Sequence, residues 1–270
     1  MHFDNFLMNY ASEANNLFDV IAFCETRMSE DLTSVYRAPG YAFFHQPRNR
    51  LGGGVALLLN EQLSPKHLSQ FSYTHESLEC ISASINTMDG ECIVISLYHP
   101  PGSKIGPFFD DLEELISSID KNKYKQVYIM GDFNIDLFES NSSQRNLINI
   151  MLSYSLFCIP NKATRVKPDS ATLIDHIWTT NARNCIGNYI LVDYCTDHFP
   201  VLSYFNVKKQ PIVTRTYTKR IFTNETKNEF LQRIRVTSWN NVYEQNTVGE
   251  AYQCFKISSR RCMIVVFRVK

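Results

Sequence analysis

The sequence predicts an α/β protein, one sizeable domain with a smaller appendage. Short apolar runs rich in β-branched and aromatic residues alternate with segments whose apolar positions recur at helical spacing. The 270 residues are 44% hydrophobic and 13% aromatic, the composition of a globular chain. Polar residues able to do chemistry stand where the apolar runs end, and strand ends are where open α/β sheets present ligands.

In chain order, Phe3, Phe6, Leu7, Tyr10, Ala14, Leu17 and Phe18 predict an amphipathic helix over 3–18. Asp19 to Thr26 follows as a buried strand. It ends in Glu25, which is either an exposed strand-end carboxylate or a metal ligand. Residues 27–50 read as a polar loop. Gly52-Gly53-Gly54 lacks the Lys-Ser/Thr of a P-loop and reads as a tight turn, leading into a strand over 55–59. Leu78–Ile85 and Cys92–Leu97 read as paired strands about a Met88-Asp89-Gly90 turn, stopped by Pro100 and Pro101. Tyr98 at that end is either an interfacial phenol or a phosphate donor. Pro107 to Asp120 is a helix, with Pro107 in its first turn.

The stretch Gln126 to Asp136, QVYIMGDFNID, organises the rest. The run Val127–Met130 predicts a buried strand. Asp132 and Asn134 then project to one side of an extended segment. That pair is either an Asx turn or a device for holding a water beside a phosphate. A helix is predicted over 143–154, then a polar connection over 160–171 containing Thr164 and Arg165. Leu173 to Trp178 is a strand whose adjacent Asp175 and His176 face opposite sides. Ile190–Tyr194 reads as a further strand. Thr196-Asp197-His198 then leads into a last one ending at Phe205. After about residue 207 a basic, Thr-rich stretch (Lys208, Lys209, Arg215, Lys219, Arg220) reads as a linker or a nucleic-acid contact. Helical patterns follow near 225–236 and 247–257.

Bulk properties narrow the function classes. Lys+Arg and Asp+Glu both number 27, for a net charge of zero, so polyanion binding has to come from local patches. The eight cysteines form no CxxC pair and mostly sit in apolar runs, as free thiols of a reducing compartment do. No disulfide-linked partner is expected. The N-terminus lacks the apolar core of a signal peptide. No apolar run approaches the roughly 18 residues of a membrane span.

Five blocks arrive in order: ET at Glu25, YHPP at Tyr98, GDFN at Asp132–Asn134, TLIDHIW at Asp175 and TDHFPV at Asp197–His198. Together they resemble the endonuclease/exonuclease/phosphatase family. More narrowly, they resemble the apurinic-type endonuclease domain of non-LTR (LINE-type) retrotransposon polyproteins. The resemblance covers roughly residues 1–206, with 207–270 resembling the connector ahead of reverse transcriptase. It implies a four-layer α/β sandwich with two mixed β-sheets flanked by helices, plus a partly helical C-terminal tail. It also implies hydrolysis of DNA phosphodiesters with Mg²⁺ or Mn²⁺, inside the cell and in the nucleus.

By the same resemblance Glu25 is the principal metal ligand. Asp132 activates the water, with Asn134 holding water or phosphate. Asp175 orients His198 on the scissile phosphate, and Asp197 supports the metal or leaving-group side. Tyr98, Thr164 and Thr196 contact phosphate. Two departures stand out. The family's opening strand and its Asn precede the point where MHFDNF starts, so weak nicking or none is expected. Arg27 stands where retroelement relatives carry Trp. The rival readings are a phosphomonoesterase of the same family and a non-catalytic nucleic-acid-binding remnant.

Overall fold

The computed structural model describes residues 18–28, 38–48, 52–192, 196–209 and 223–266. The helix predicted over 3–18 and most of the basic stretch 208–220 lie outside them. The chain divides into two compact units, residues 1–212 and 213–270.

The first unit carries fourteen strands among the described residues: β1 (Val20–Cys24), β2 (Tyr41–Gln46), β3 (Val55–Asn60), β4 (Lys66–His67), β5 (Tyr73–Thr74), β6 (Glu79–Thr87), β7 (Gly90–Tyr98), β8 (Tyr124–Asp132), β9 (Phe157–Cys158), β10 (Arg165–Lys167), β11 (Ser170–Thr172), β12 (Asp175–Thr179), β13 (Cys185–Ile190) and β14 (Val201–Phe205). Two helices join them, α1 (Ile105–Ser117) and α2 (Ser142–Ser153). A seven-stranded mixed sheet runs β4-β6-β7-β8-β12-β9, with β5 also on β6. Only β7 and β8 pair in parallel, and α1 makes the crossover between them, as a parallel pair requires. A three-stranded antiparallel sheet, β1-β3-β2, and the hairpin β13-β14 form separate pieces.

Strand alternation explains the layers. On β7, Ile93, Ile95 and Leu97 face one way and pack with Phe108 and Leu112 of α1 and Leu147 and Met151 of α2. Cys92, Val94 and Tyr98 face the other way, onto Val55, Leu57 and Leu59 of β3. With apolar residues on both faces, β7 and β3 read as continuous runs rather than alternating ones. A third cluster, Met28, Ala38, Tyr41 and Leu58, covers the outer side of the small sheet. The result is the expected α/β arrangement of sheets flanked by helices, with the parallel pair in the larger, mixed sheet.

Four sequence readings need correction. Residues 41–46, assigned to a loop, form β2; most are only half-buried, and neighbouring Pro and Arg hid the run. The connection over 160–171 contains the β10-β11 hairpin. Of the strand placed at 190–194, Ile190 closes β13, where a register shift between Cys185 and Gly187 interrupts the apolar pattern, and residues 193–194 lie outside the described residues. Residues through 209 still belong to the first unit, since Met88 N–H donates to Lys208 O (2.9 Å) and Thr87 bridges to Lys209.

The second unit holds α3 (Asn224–Val236), α4 (Asn240–Tyr243) and α5 (Val248–Val266). Thr223 and Thr226 form a reciprocal cap at the start of α3, which fixes that boundary. The last helix extends well beyond the predicted 257. Among the described residues no helix is long and apolar enough to cross a membrane, and Cys24, Cys80, Cys92, Cys158, Cys185 and Cys254 are free thiols.

Candidate active site

The sheet register lays out the site. Glu79 pairs with Tyr98, Tyr98 with Asp132, and Asp132 with Asp175. These four residues therefore form one row across β6, β7, β8 and β12. Side chains in such a row share a face, here the face that carries Ile81, Val94 and Tyr128 toward the small sheet. Glu25 follows β1 on that sheet, and His198 precedes β14. Glu25, Asp132, Asn134, Asp175, Asp197 and His198 all line one cleft of about 1220 Å³.

Three of them meet closely. Asp132, Asp175 and His198 offer ligand atoms within 4.8 Å of one another. His198 Nδ1 lies 3.0 and 3.1 Å from the two Asp175 oxygens. Burial opposes the His198 charge, but the Asp175 hydrogen bond and carboxylate outweigh it and hold the imidazole above its usual range. Asp132 is 6% exposed. Burial, then the Asp175 charge, pushes its carboxyl up to about 7, so one carboxylate is poised near neutrality. Asn134 N–H donates to Asp132 Oδ1 (2.9 Å) and its amide to Asp132 Oδ2 (3.2 Å) and His99 O (2.8 Å). Asn134 adopts φ 47°, a left-handed turn that Asn tolerates.

His176 confirms the opposite-face reading. It stacks on Phe133 at 4.7 Å, takes the Trp178 Nε1–H at 3.3 Å and hydrogen-bonds Leu173 O at 3.1 Å. Burial drives its pKa down to about 4, leaving a neutral ring in the core.

Glu25 and Asp197 stand at the rim, outside the close trio. Tyr98 O–H donates to Glu25 Oε1 (2.8 Å) and Arg27 to Oε2 (2.8 Å). Burial raises the Glu25 carboxyl, but those two bonds and the Arg27 charge bring it below its ordinary value. Asp197 is half-exposed and takes Arg165 Nε (2.8 Å) and Nη2 (2.5 Å), with Lys167 at 3.8 Å; the Arg165 hydrogen bond lowers its pKa. Tyr98 is nearly buried and serves Glu25. Thr164 is a correction. It is fully buried, and its hydroxyl accepts the amides of Ile174 (3.2 Å) and Asp175 (3.1 Å), so it seats the Asp175 backbone instead of reaching substrate. The Thr196 hydroxyl likewise is used in its own turn, donating to His198 O (2.6 Å) and accepting its N–H (3.1 Å).

Sequence reasoning passed over Glu79. It is fully buried, accepts Gly54 N–H (2.6 Å) and pairs with Arg48 (2.8 Å). The glycine turn it braces presents Gly54 O to Thr26 N–H (3.0 Å) and Gly53 O to Arg27 N–H (2.9 Å). Gly54 has φ +85°, and a Cβ there would meet the Thr26 hydroxyl. The triple glycine is thus a tight turn, and it holds the backbone either side of Glu25. The available signal was a lone Glu opening an apolar run, the mirror image of Glu25 closing one.

The donor set fits a hard divalent cation. Two carboxylates and an imidazole converge, and the raised Asp132 marks negative charge that a cation would relieve. Residues 92–202 match the family model described as Endonuclease-reverse transcriptase.

The fold is that of the endonuclease/exonuclease/phosphatase proteins.

Solved structures of that fold agree. The endonuclease domain of TRAS1, a telomere-specific non-LTR retrotransposon, superposes with a TM-score of 0.58 at 14% identity, covering 73% of this chain and 90% of its own. The 3′-5′ exonuclease NExo from Neisseria meningitidis gives 0.56 at 15%, covering 71% and 91%. D. rerio TDP2 complexed with single-strand DNA product gives 0.55 at 14%, covering 76% and 93%. At such identities the likeness is one of fold. No curated protein matches the sequence. This chain carries Asp132 at the end of β8, Asp175 at the start of β12 and His198 just ahead of β14.

Proposed function

We propose that this chain is a Mg²⁺- or Mn²⁺-dependent DNA-nicking endonuclease of a retrotransposon, acting in the nucleus. The observation supporting it is the convergence of Asp132, Asp175 and His198 within 4.8 Å in a cleft that also contains Glu25. The family model's description and the TRAS1 likeness favour the retroelement branch over a phosphomonoesterase.

Each residue has a chemical task. Asp132, with its carboxyl near 7, takes the proton of the attacking water, since a base titrating close to working pH is most effective. Asn134 keeps that carboxylate in register. Asp175 holds His198 through Nδ1, leaving Nε2 for a phosphoryl oxygen. The imidazolium then meets charge that grows as the water oxygen bonds phosphorus and the P–O3′ bond breaks. The strand is left with a 5′-phosphate, and O3′ leaves and takes a proton from solvent to become a 3′-hydroxyl. A divalent ion held by the Asp132, Asp175 and Glu25 carboxylates would supply Lewis-acid charge neutralisation.

The test is nicking of supercoiled plasmid by the full chain. Slow conversion to open circles with Mg²⁺ or Mn²⁺ is expected, with none in EDTA and none for Asp132→Asn or His198→Gln. Turnover of an inositol phosphate without nicking would transfer the assignment to a phosphomonoesterase. Salt-sensitive DNA binding with neither activity would leave a non-catalytic remnant.

A further inference from the structure

Among the residues that line the cleft, Arg27 has no role in the mechanism above, yet its placement is built. Glu25 and Arg27 both have left-handed backbones, φ 53° and 52°, a costly conformation for residues other than glycine. The strain is held from several sides. Gly54 O and Gly53 O take the amides of Thr26 and Arg27. The Thr26 hydroxyl meets His45 Nε2 at 2.8 Å, and buried Glu79 anchors the glycine turn. The consequence is that Arg27 folds back onto Glu25 Oε2 at 2.8 Å while Tyr98 occupies Oε1. A guanidinium, 61% exposed on its side chain, thus holds the rim carboxylate of the cleft.

We propose that Arg27 is an exchangeable counter-ion. A divalent cation entering the cleft displaces it from Glu25, and the released guanidinium turns to a backbone phosphate of the DNA. Two observations point this way. The cation and Arg27 would both seek Glu25, and like charges so close repel. Arg27 also lies on the wall of the same cleft as Asp132 and His198, and its planar fork suits phosphate. The exchange lets cation and substrate bind in concert, since each frees a partner for the other.

The proposal rests on the nuclease reading, so its readouts are bindings. Mn²⁺ binding to the full chain is followed by the EPR signal of free Mn²⁺, for wild type, Arg27→Gln and Arg27→Lys. Removing an exposed ion pair that competes with the metal should tighten Mn²⁺ binding about two- to fivefold in Arg27→Gln. Duplex DNA binding in Ca²⁺, read by anisotropy against salt, should weaken, with the log–log slope shallower by about 0.9 for one lost phosphate contact. Arg27→Lys, which keeps the charge, should stay near wild type in both. Far-ultraviolet dichroism checks that the variants are folded, as expected for an exposed position. Wild-type Mn²⁺ affinity in Arg27→Gln, or an unchanged salt slope, overturns the exchange and leaves the nuclease reading intact. Absence of Mn²⁺ binding in all three overturns both. Metal binding without nicking refutes only the nuclease.

Discussion

Replacing Asp132 by Asn should stabilise the metal-free protein while abolishing its chemistry. The native carboxyl titrates at about 7 against an ordinary 3.8, chiefly through burial and then the Asp175 charge. The native state therefore holds a proton that the unfolded chain has released between those values. Wild-type stability must fall as pH rises through that window and level off above it. At 1.36 kcal/mol per pH unit, the interval of about 3 units amounts to about 4 kcal/mol. His198 gains some support from the Asp132 charge, and Asn forfeits it, so a difference of about 2–3 kcal/mol at pH 8 is the working figure. Near pH 4 the two proteins should agree to within about 0.5 kcal/mol. Urea denaturation of the full chain, followed by fluorescence of buried Trp178 with Trp239→Phe as background, measures both. Adding Mg²⁺ should narrow the gap at pH 8, because an ion that binds only the native wild type stabilises it. A mutant less stable than wild type at pH 8, or a gap equal at pH 4 and pH 8, would refute this account of the cluster.

Other substitutions probe the frame and the chemistry. Gly131 has φ +144°, and a Cβ there would strike the Leu97 carbonyl; Gly131→Ala should cost at least about 3 kcal/mol and show it as a lowered thermal midpoint. Glu79→Ala leaves Arg48 and Gly54 N–H without their buried acceptor, for a loss of about 2–4 kcal/mol in denaturant melts, whereas Glu79→Gln should retain more than half of that. His198 keeps its proton above the usual imidazole range. Nicking by wild type should therefore decline as pH rises through that raised value, and the stability supplied by the Asp175–His198 pair should be lost over the same span. His198→Gln should show no nicking at any pH of the same profile.

What was legible in the sequence follows from the range of the forces involved. β3, β7 and β8 are buried on both faces, so their apolar runs announce them without tertiary knowledge. Asp132 and Asn134 follow such a run at spacing two, and their mutual bonding is local. Asp175 and His198 were legible as strand-edge polar residues. That they are partners depends on β12 and the start of β14 meeting, 23 residues apart. Less was visible where meaning is purely tertiary. β2 is half-buried at every residue after Tyr41, and the β10-β11 hairpin is too short to show a period. Thr164 looked like a surface hydroxyl because no local pattern reveals that two amides ten and eleven residues on will claim it. Arg27 and Arg165 could be counted as basic loop residues. Their roles became visible only when each was found on a carboxylate.

The same comparison explains why the carboxylates divide into two kinds. Asp132 and Asp175 are placed by the register of two paired strands, which fixes their backbones across five consecutive residue pairs and admits little relaxation. Burial first, and then a mutual repulsion that cannot be relieved by moving apart, raise the Asp132 pKa, and the same repulsion favours His198 or a cation beside the pair. Glu25 and Asp197 sit on turns with arginines in reach, and they neutralise themselves locally. A rigid like-charged pair inside and self-neutralised carboxylates at the rim give a cleft that draws in a cation and exchanges protein contacts for substrate contacts around it. Such a division arises because strand ends are rigid and turns adjust, so the placement of each acid on one or the other sets whether it stores electrostatic strain or releases it.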